Sequence, residues 1–141
     1  MTNNQPYEQI EHTGDVGLRV YGQSLEELFS HAAHGMYGII FDKLPTDTQI
    51  QEALTLSAND LEELFVNWLS ELNFILTTED KYFIDFTFHE ITENSVKVTM
   101  RGGSFKPDIH DIHTEIKAAT FHELHVRKID NQWQAQVIFD I

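Results

Sequence analysis

The chain has 141 residues, which fits one domain over residues 1–141 that leaves roughly 7,500 Å² of surface exposed after folding. Nine Lys and Arg against 23 Asp and Glu give a net charge of −14, so the cationic side chains that strong direct RNA or DNA binding requires are scarce. The absence of cysteine excludes disulfides and thiolate metal sites, and no export signal or membrane-spanning apolar run occurs, so we expect a cytoplasmic protein without membrane contact.

The first half of the chain shows strand and helix periodicities in alternation. Short strands are predicted over residues 7–12 and 16–21, the second from apolar residues at every second position. A capping box followed by an apolar stripe at helical spacing predicts a helix over residues 24–41. A third strand is predicted over residues 50–57, and a second capping signal opens an amphipathic helix after residue 60.

The second half of the chain is dominated by strands. Alternation predicts them over residues 82–88, 96–100, 114–128 and 133–139, and the glycines and proline of residues 101–107 indicate a loop. Strands and helices are segregated rather than regularly alternating. The pattern therefore predicts an α+β fold, with a largely antiparallel sheet and two amphipathic helices packed on one face.

The segment around Asp15 is the first candidate for chemistry. His12 and Asp15 place an imidazole and a carboxylate on one tight connection, where both could reach a metal ion or a substrate. The alternative is that Gly14 and Asp15 only form a two-residue hairpin turn, which their residue types also explain. The sequence leaves both readings open.

Histidines spaced by three residues form the second candidate. They are His110 with His113 and His122 with His125. Zinc-binding helices use a spacing of four, and on a strand a spacing of three points the two rings to opposite faces. Partly exposed loop and strand histidines are therefore favoured over a zinc site.

The end of the sequence is the third candidate. Phe139 belongs to an apolar strand face, so Asp140 points to the opposite face, next to the α-carboxylate of Ile141. Neighbouring carboxylates repel each other unless a cation holds them. The alternative is a frayed end with a solvated aspartate.

Four separated motifs carry a family resemblance. They are IEHTGDVG at 10–17, LFVNWLSEL at 64–72, EIKAATFH at 115–122 and VIFDI at 137–141. In this order and at this spacing, the chain resembles archease. Gly103 and Lys106 depart from the resemblance, since the family usually has acidic residues in this loop.

The resemblance implies a protein cofactor rather than an independent catalyst. The partner would be the GTP-dependent tRNA-splicing RNA ligase, which joins a 3′-phosphate or 2′,3′-cyclic phosphate end to a 5′-hydroxyl end in tRNA splicing and RNA repair. The protein would act at the GTP-bound active site of the ligase, promoting its guanylylation and multiple turnover.

The resemblance also implies a metal site and a cationic contact. Asp15, Asp140 and Ile141 would hold calcium, and the hard oxygen donors also suit magnesium or manganese. Lys117 would contact the nucleotide or the partner, with His12 and His110 as accessory residues.

Alternatives to this function remain open on the sequence. Lys117 could be a solvated strand lysine. The same carboxylates, together with His12, could serve a small metal-dependent phosphodiesterase or hydrolase. A chaperone or adaptor without metal is a third alternative.

Overall fold

The computed structural model describes residues 5–141. In that range, the accessible surface is 7530 Å², close to the area expected from chain length. The elements are β1 (Tyr7–His12), β2 (Asp15–Gly22), α1 (Leu25–Ile40), β3 (Ile50–Ser57), α2 (Leu61–Glu79), β4 (Lys81–Ile91), β5 (Ser95–Ser104), β6 (Ala118–Ile129) and β7 (Gln132–Asp140).

The strands form two antiparallel sheets. One sheet has the order β1-β2-β7-β6 and the other the order β3-β5-β4, and each helix contacts strands of both. The α+β class with antiparallel strands and two helices is confirmed. The expected arrangement of one sheet with both helices on one face is corrected, because two sheets share the helices. Periodicity identifies a strand, but packing between distant segments decides its partners.

Both helices begin where the capping signals predicted. The Ser24 side chain accepts a hydrogen bond from the Glu27 N–H at 3.2 Å, and the Asp60 side chain accepts one from the Glu63 N–H at 2.8 Å. These bonds satisfy donors that the first turn of a helix otherwise leaves unpaired. Neither helix of residues 5–141 combines the length and apolar character needed to cross a membrane.

The apolar helix faces and the inner sheet faces form one continuous core. Trp68 lies at its centre with no exposed surface, and its Nε1 donates a hydrogen bond to the Phe29 carbonyl at 2.9 Å. The Phe65 ring meets Phe29 edge-on at a centroid distance of 5.5 Å. The helical stripe seen in the sequence is therefore the face that packs the interior.

The glycines after Met100 lie in a strand rather than in the predicted loop. β5 continues to Ser104, so residues 101–104 extend the three-stranded sheet. Strand β4 passes so close to Gly102 that a Cβ at this position would overlap the Tyr82 carbonyl oxygen. Close approach of two backbones, not a turn, explains this glycine.

The strand expected from residue 114 begins later, at Ala118. The N–H groups of His113 and Thr114 both bind the carbonyl oxygen of Ile40 at the end of α1, at 2.7 and 3.2 Å. The chain therefore follows the helix end before it joins the sheet, and residues 114–117 are irregular.

Candidate functional site

The β1–β2 hairpin fixes the position of Asp15. His12 pairs with Asp15, so Thr13 and Gly14 form the two-residue turn, with Gly14 at a φ of 75°. A turn made of Gly14 and Asp15 is therefore wrong by one residue, and Asp15 is the first residue of β2. Because Asp15 belongs to β2, the register of β2 with its neighbouring strands determines which residue lies opposite it.

Asp15 lies directly opposite Asp140 in the β2–β7 ladder. Directly opposed residues of antiparallel strands extend from the same face, with Cβ atoms roughly 4.5–5.5 Å apart. Asp15 is partly exposed and Asp140 is exposed, whereas the preceding Phe139 is fully buried. The structure thus brings together two predicted site residues from distant parts of the sequence. Like charges in this arrangement repel each other, and a bound cation would relieve the repulsion.

Lys117 approaches the same end of the sheet through its backbone. Its N–H donates a hydrogen bond to the Asp140 carbonyl at 2.8 Å, and the following Ala118 pairs with Asp140. The Lys117 side chain is exposed and forms no ion pair within the described part of the chain. Its charge is therefore available to a partner or a phosphate group.

Asn73 supports this segment and was missed by the sequence analysis. Its side-chain amide on α2 donates a hydrogen bond to the Ile116 carbonyl at 2.9 Å, and the Ile116 side chain is only 3% exposed. Lys117 therefore follows a residue that is held by both its backbone and its side chain. No sequence pattern connects Asn73 with Ile116, so only the folded chain reveals this contact.

The carboxylate oxygens of this site are the type of ligand that a hard divalent cation prefers. Across residues 5–141, no group of three or more His, Cys, Asp or Glu converges on a common metal position. The Asp15–Asp140 pair supplies oxygen donors only, fewer than the six to eight that calcium takes. An ion held here would keep coordination positions for water, phosphate or groups of a partner.

In the described contacts, His110 does not join the carboxylate pair. Nδ1 of His110 accepts a hydrogen bond from the Lys106 N–H at 3.0 Å, and its ring stacks on Phe105 at a centroid distance of 6.1 Å. His110 thus organises its own loop. The backbone of His12 belongs to β1, but its side chain lies outside the described residues.

Two other histidines of the predicted pairs have separate surroundings. Nδ1 of His113 lies 3.2 Å from a carboxylate oxygen of Asp42. Burial lowers the pKa of His125, and the nearby charges of Arg127 and Arg19 lower that pKa further. Across residues 5–141, neither histidine belongs to a convergent group of metal-binding side chains.

Comparison with known proteins finds relatives that are similar over nearly the whole chain. The Archease protein family (MTH1598/TM1083) matches residues 7–141. Protein archease of Methanosarcina mazei is 35% identical over 144 residues, covering 99% of each chain. Protein archease of Pyrococcus abyssi is 34% identical over 139 residues, covering 96% of this chain and 98% of its own.

Solved structures share the fold. The solution structure of Methanobacterium thermoautotrophicum protein 1598 matches with a TM-score of 0.78 and 28% identity, covering 96% of this chain and 99% of that one. The crystal structure of an archease, possible chaperone, from Thermotoga maritima has a TM-score of 0.65 at 22% identity, covering 95% and 96%. This second likeness concerns the fold alone. With the family match across residues 7–141 and relatives at 35% identity, the chain belongs to the archease family.

Proposed function

We propose that this protein is a non-catalytic activator of the GTP-dependent tRNA-splicing RNA ligase and acts in the cytoplasm. Membership of the archease family supports the proposal. The net charge of −14 also supports it, because an acidic protein is poorly suited to hold RNA but well suited to approach the basic cleft of an RNA-binding enzyme. The observation that carries the proposal is the opposed, solvent-accessible Asp15–Asp140 pair.

The proposed site holds a divalent cation between Asp15, Asp140 and the α-carboxylate of Ile141. Calcium is the first candidate, with magnesium and manganese as alternatives, because all donors are hard oxygens. When bound, the ion would neutralise the carboxylates and offer open positions to oxygen atoms of the nucleotide or the ligase. The protein residues contribute a fixed cross-strand geometry that orients the donors before the partner arrives.

Lys117 provides the complementary charge in this proposal. Its exposed ammonium group would contact a phosphate of the nucleotide or a carboxylate of the ligase as a point charge. The backbone hydrogen bond to the Asp140 carbonyl holds the main chain of Lys117 next to Asp140. Together these groups would favour guanylylation of the ligase.

The test is RNA ligation under multiple turnover with the ligase of the same organism. RNA ends carrying a 3′-phosphate and a 5′-hydroxyl are supplied in large excess over the ligase, with GTP, and with or without this protein. We expect several products per ligase molecule and faster formation of covalent ligase–GMP only when the protein is present. The Asp140→Ala variant is the matched inactive control.

Three results would contradict the proposal or its cation site. One is equal turnover and equal ligase–GMP formation with and without the protein. Another is cleavage of RNA phosphodiesters by the isolated protein, lost in Asp140→Ala, which would support the hydrolase alternative. The third is stimulation that persists in Asp140→Ala, which would instead favour an adaptor that does not use this cation site.

A further inference from the structure

Strand β6 contains a large irregularity close to the candidate site. Thr120 pairs with Ile138 and His125 pairs with Gln136, so residues 121–124 lie opposite Val137 alone. β6 is an edge strand of the four-stranded sheet. We refer to residues 121–124 as the β6 bulge.

Specific hydrogen bonds hold the β6 bulge in place. The Thr120 hydroxyl donates to the Ile138 carbonyl at 2.8 Å and accepts from the His122 N–H at 3.3 Å. The Gln136 side-chain amide donates to the Glu123 carbonyl at 3.1 Å. Glu123 adopts a left-handed φ of 52°, a conformation that is unfavourable for a residue with a side chain and persists only when its surroundings impose it.

The result of this organisation is an exposed aromatic ring. Phe121, the first residue of the β6 bulge, has 60% of its surface exposed. It lies four residues after Lys117, at most about 13 Å away at about 3.3 Å of extended chain per residue. Bulges commonly redirect a side chain beside a functional site, and a partly exposed aromatic residue is a typical anchor at protein interfaces.

We propose that the β6 bulge presents Phe121 as an apolar anchor that docks this protein on the RNA ligase, beside the Asp15–Asp140 site. The inference rests on the proposed function and adds a contact outside the cation site. The same segment exposes Glu115 and Glu123 together with Lys117, and the whole chain carries a charge of −14. The matching surface of the ligase is therefore an apolar recess bordered by basic side chains.

The experiment measures affinity and maximal stimulation separately. Binding of the full-length protein to the ligase is followed by calorimetry, and ligation is titrated with the protein to saturation. We expect Phe121→Ser to weaken binding by about tenfold or more and still to reach the wild-type maximum at high concentration. Asp140→Ala should fail to reach that maximum at any concentration.

Two further variants control for a general effect on the strand. Ile129→Ser removes another exposed apolar side chain, 42% exposed, from the far end of β6 and should leave the affinity unchanged. Phe121→Tyr keeps the ring and should bind like wild type. The melting temperatures of all variants should coincide, because removal of an exposed ring leaves no cavity. If Phe121→Ser melts at a lower temperature than wild type, the affinities of Phe121→Tyr and Phe121→Gln are compared instead.

The outcomes separate this inference from the proposed function. Wild-type affinity of Phe121→Ser, or an equal loss in Ile129→Ser, overturns the anchor while stimulation by the wild type upholds the activator role. Self-association that depends on Phe121 in gel filtration also overturns it, since the ring would then serve a second copy of this chain. No binding and no stimulation by the wild type would refute the proposed function and the anchor together.

Discussion

The carboxylates of Asp15 and Asp140 reach solvent at the end of a sheet, so neither packs the core. We predict that Asp15→Ala and Asp140→Ala each abolish stimulation of the ligase. Their free energy of unfolding should stay within about 0.5 kcal/mol of wild type, because no cavity opens and a repulsion is removed. Multiple-turnover ligation and chemical unfolding measure the two effects.

Asp85→Ala is the matched control for these variants. Asp85 is an exposed carboxylate on β4, in the other sheet, and its loss changes the net charge by the same amount. Normal stimulation by either site variant would exclude a shared cation site.

Lys117 is a third residue of the candidate site, and its side chain carries a positive charge. Because it forms no ion pair in the described structure, we predict that Lys117→Ala slows ligase–GMP formation without changing the melting temperature. Lys97→Ala removes an exposed lysine of β5 instead and should have no effect on guanylylation. Unchanged guanylylation together with a lower melting temperature for Lys117→Ala would give this lysine a structural role instead.

At the scale of elements, two glycines should respond in opposite directions to the same substitution. Gly102→Ala should lower the free energy of unfolding by about 1–3 kcal/mol or more, because its Cβ would overlap the backbone of β4. Gly38→Ala should raise it by roughly 0.5–1 kcal/mol, because alanine favours the interior of a helix. The nearest atom to a Cβ at Gly38 is the Tyr7 hydroxyl oxygen, at 3.4 Å.

Urea unfolding of both variants provides the measurement, with the wild type as reference. Equal stability of Gly102→Ala and wild type would show that β4 and β5 can separate at this point. That result would restore the loop that the sequence predicted for residues 101–107.

At the scale of the whole molecule, cation binding should be linked to folding. A ligand that binds only the folded protein stabilises it by about 2.7 kcal/mol at a hundredfold excess over its dissociation constant. We therefore predict that calcium raises the melting temperature relative to a chelator. A short neutral tag after Ile141 should abolish this shift, because it converts the α-carboxylate to an amide.

A tag before Met1 is the control for that melt. It leaves the proposed ligands unchanged and should preserve the calcium-dependent shift. Equal shifts for the untagged protein and both tagged proteins would show that the Ile141 carboxylate is not a ligand.

The sequence by itself determined the features that depend on neighbouring residues. The caps at Ser24 and Asp60 and the helical stripes predicted both helices, and alternation located the strands, because these signals act over a few residues. The four sequence motifs also indicated the family and the candidate site residues Asp15 and Asp140. The loop at Gly102 was misread because close backbone approach and turn formation both select glycine.

Only the tertiary structure decided how these parts meet. The division into two sheets, the register that sets Asp15 opposite Asp140, and the contact from Asn73 to Ile116 all join distant segments. The late start of β6 has the same origin, since the end of α1 captures residues 113 and 114. Local patterns cannot specify such pairings, because the free energy that selects them comes from burying the apolar faces of all elements in one core.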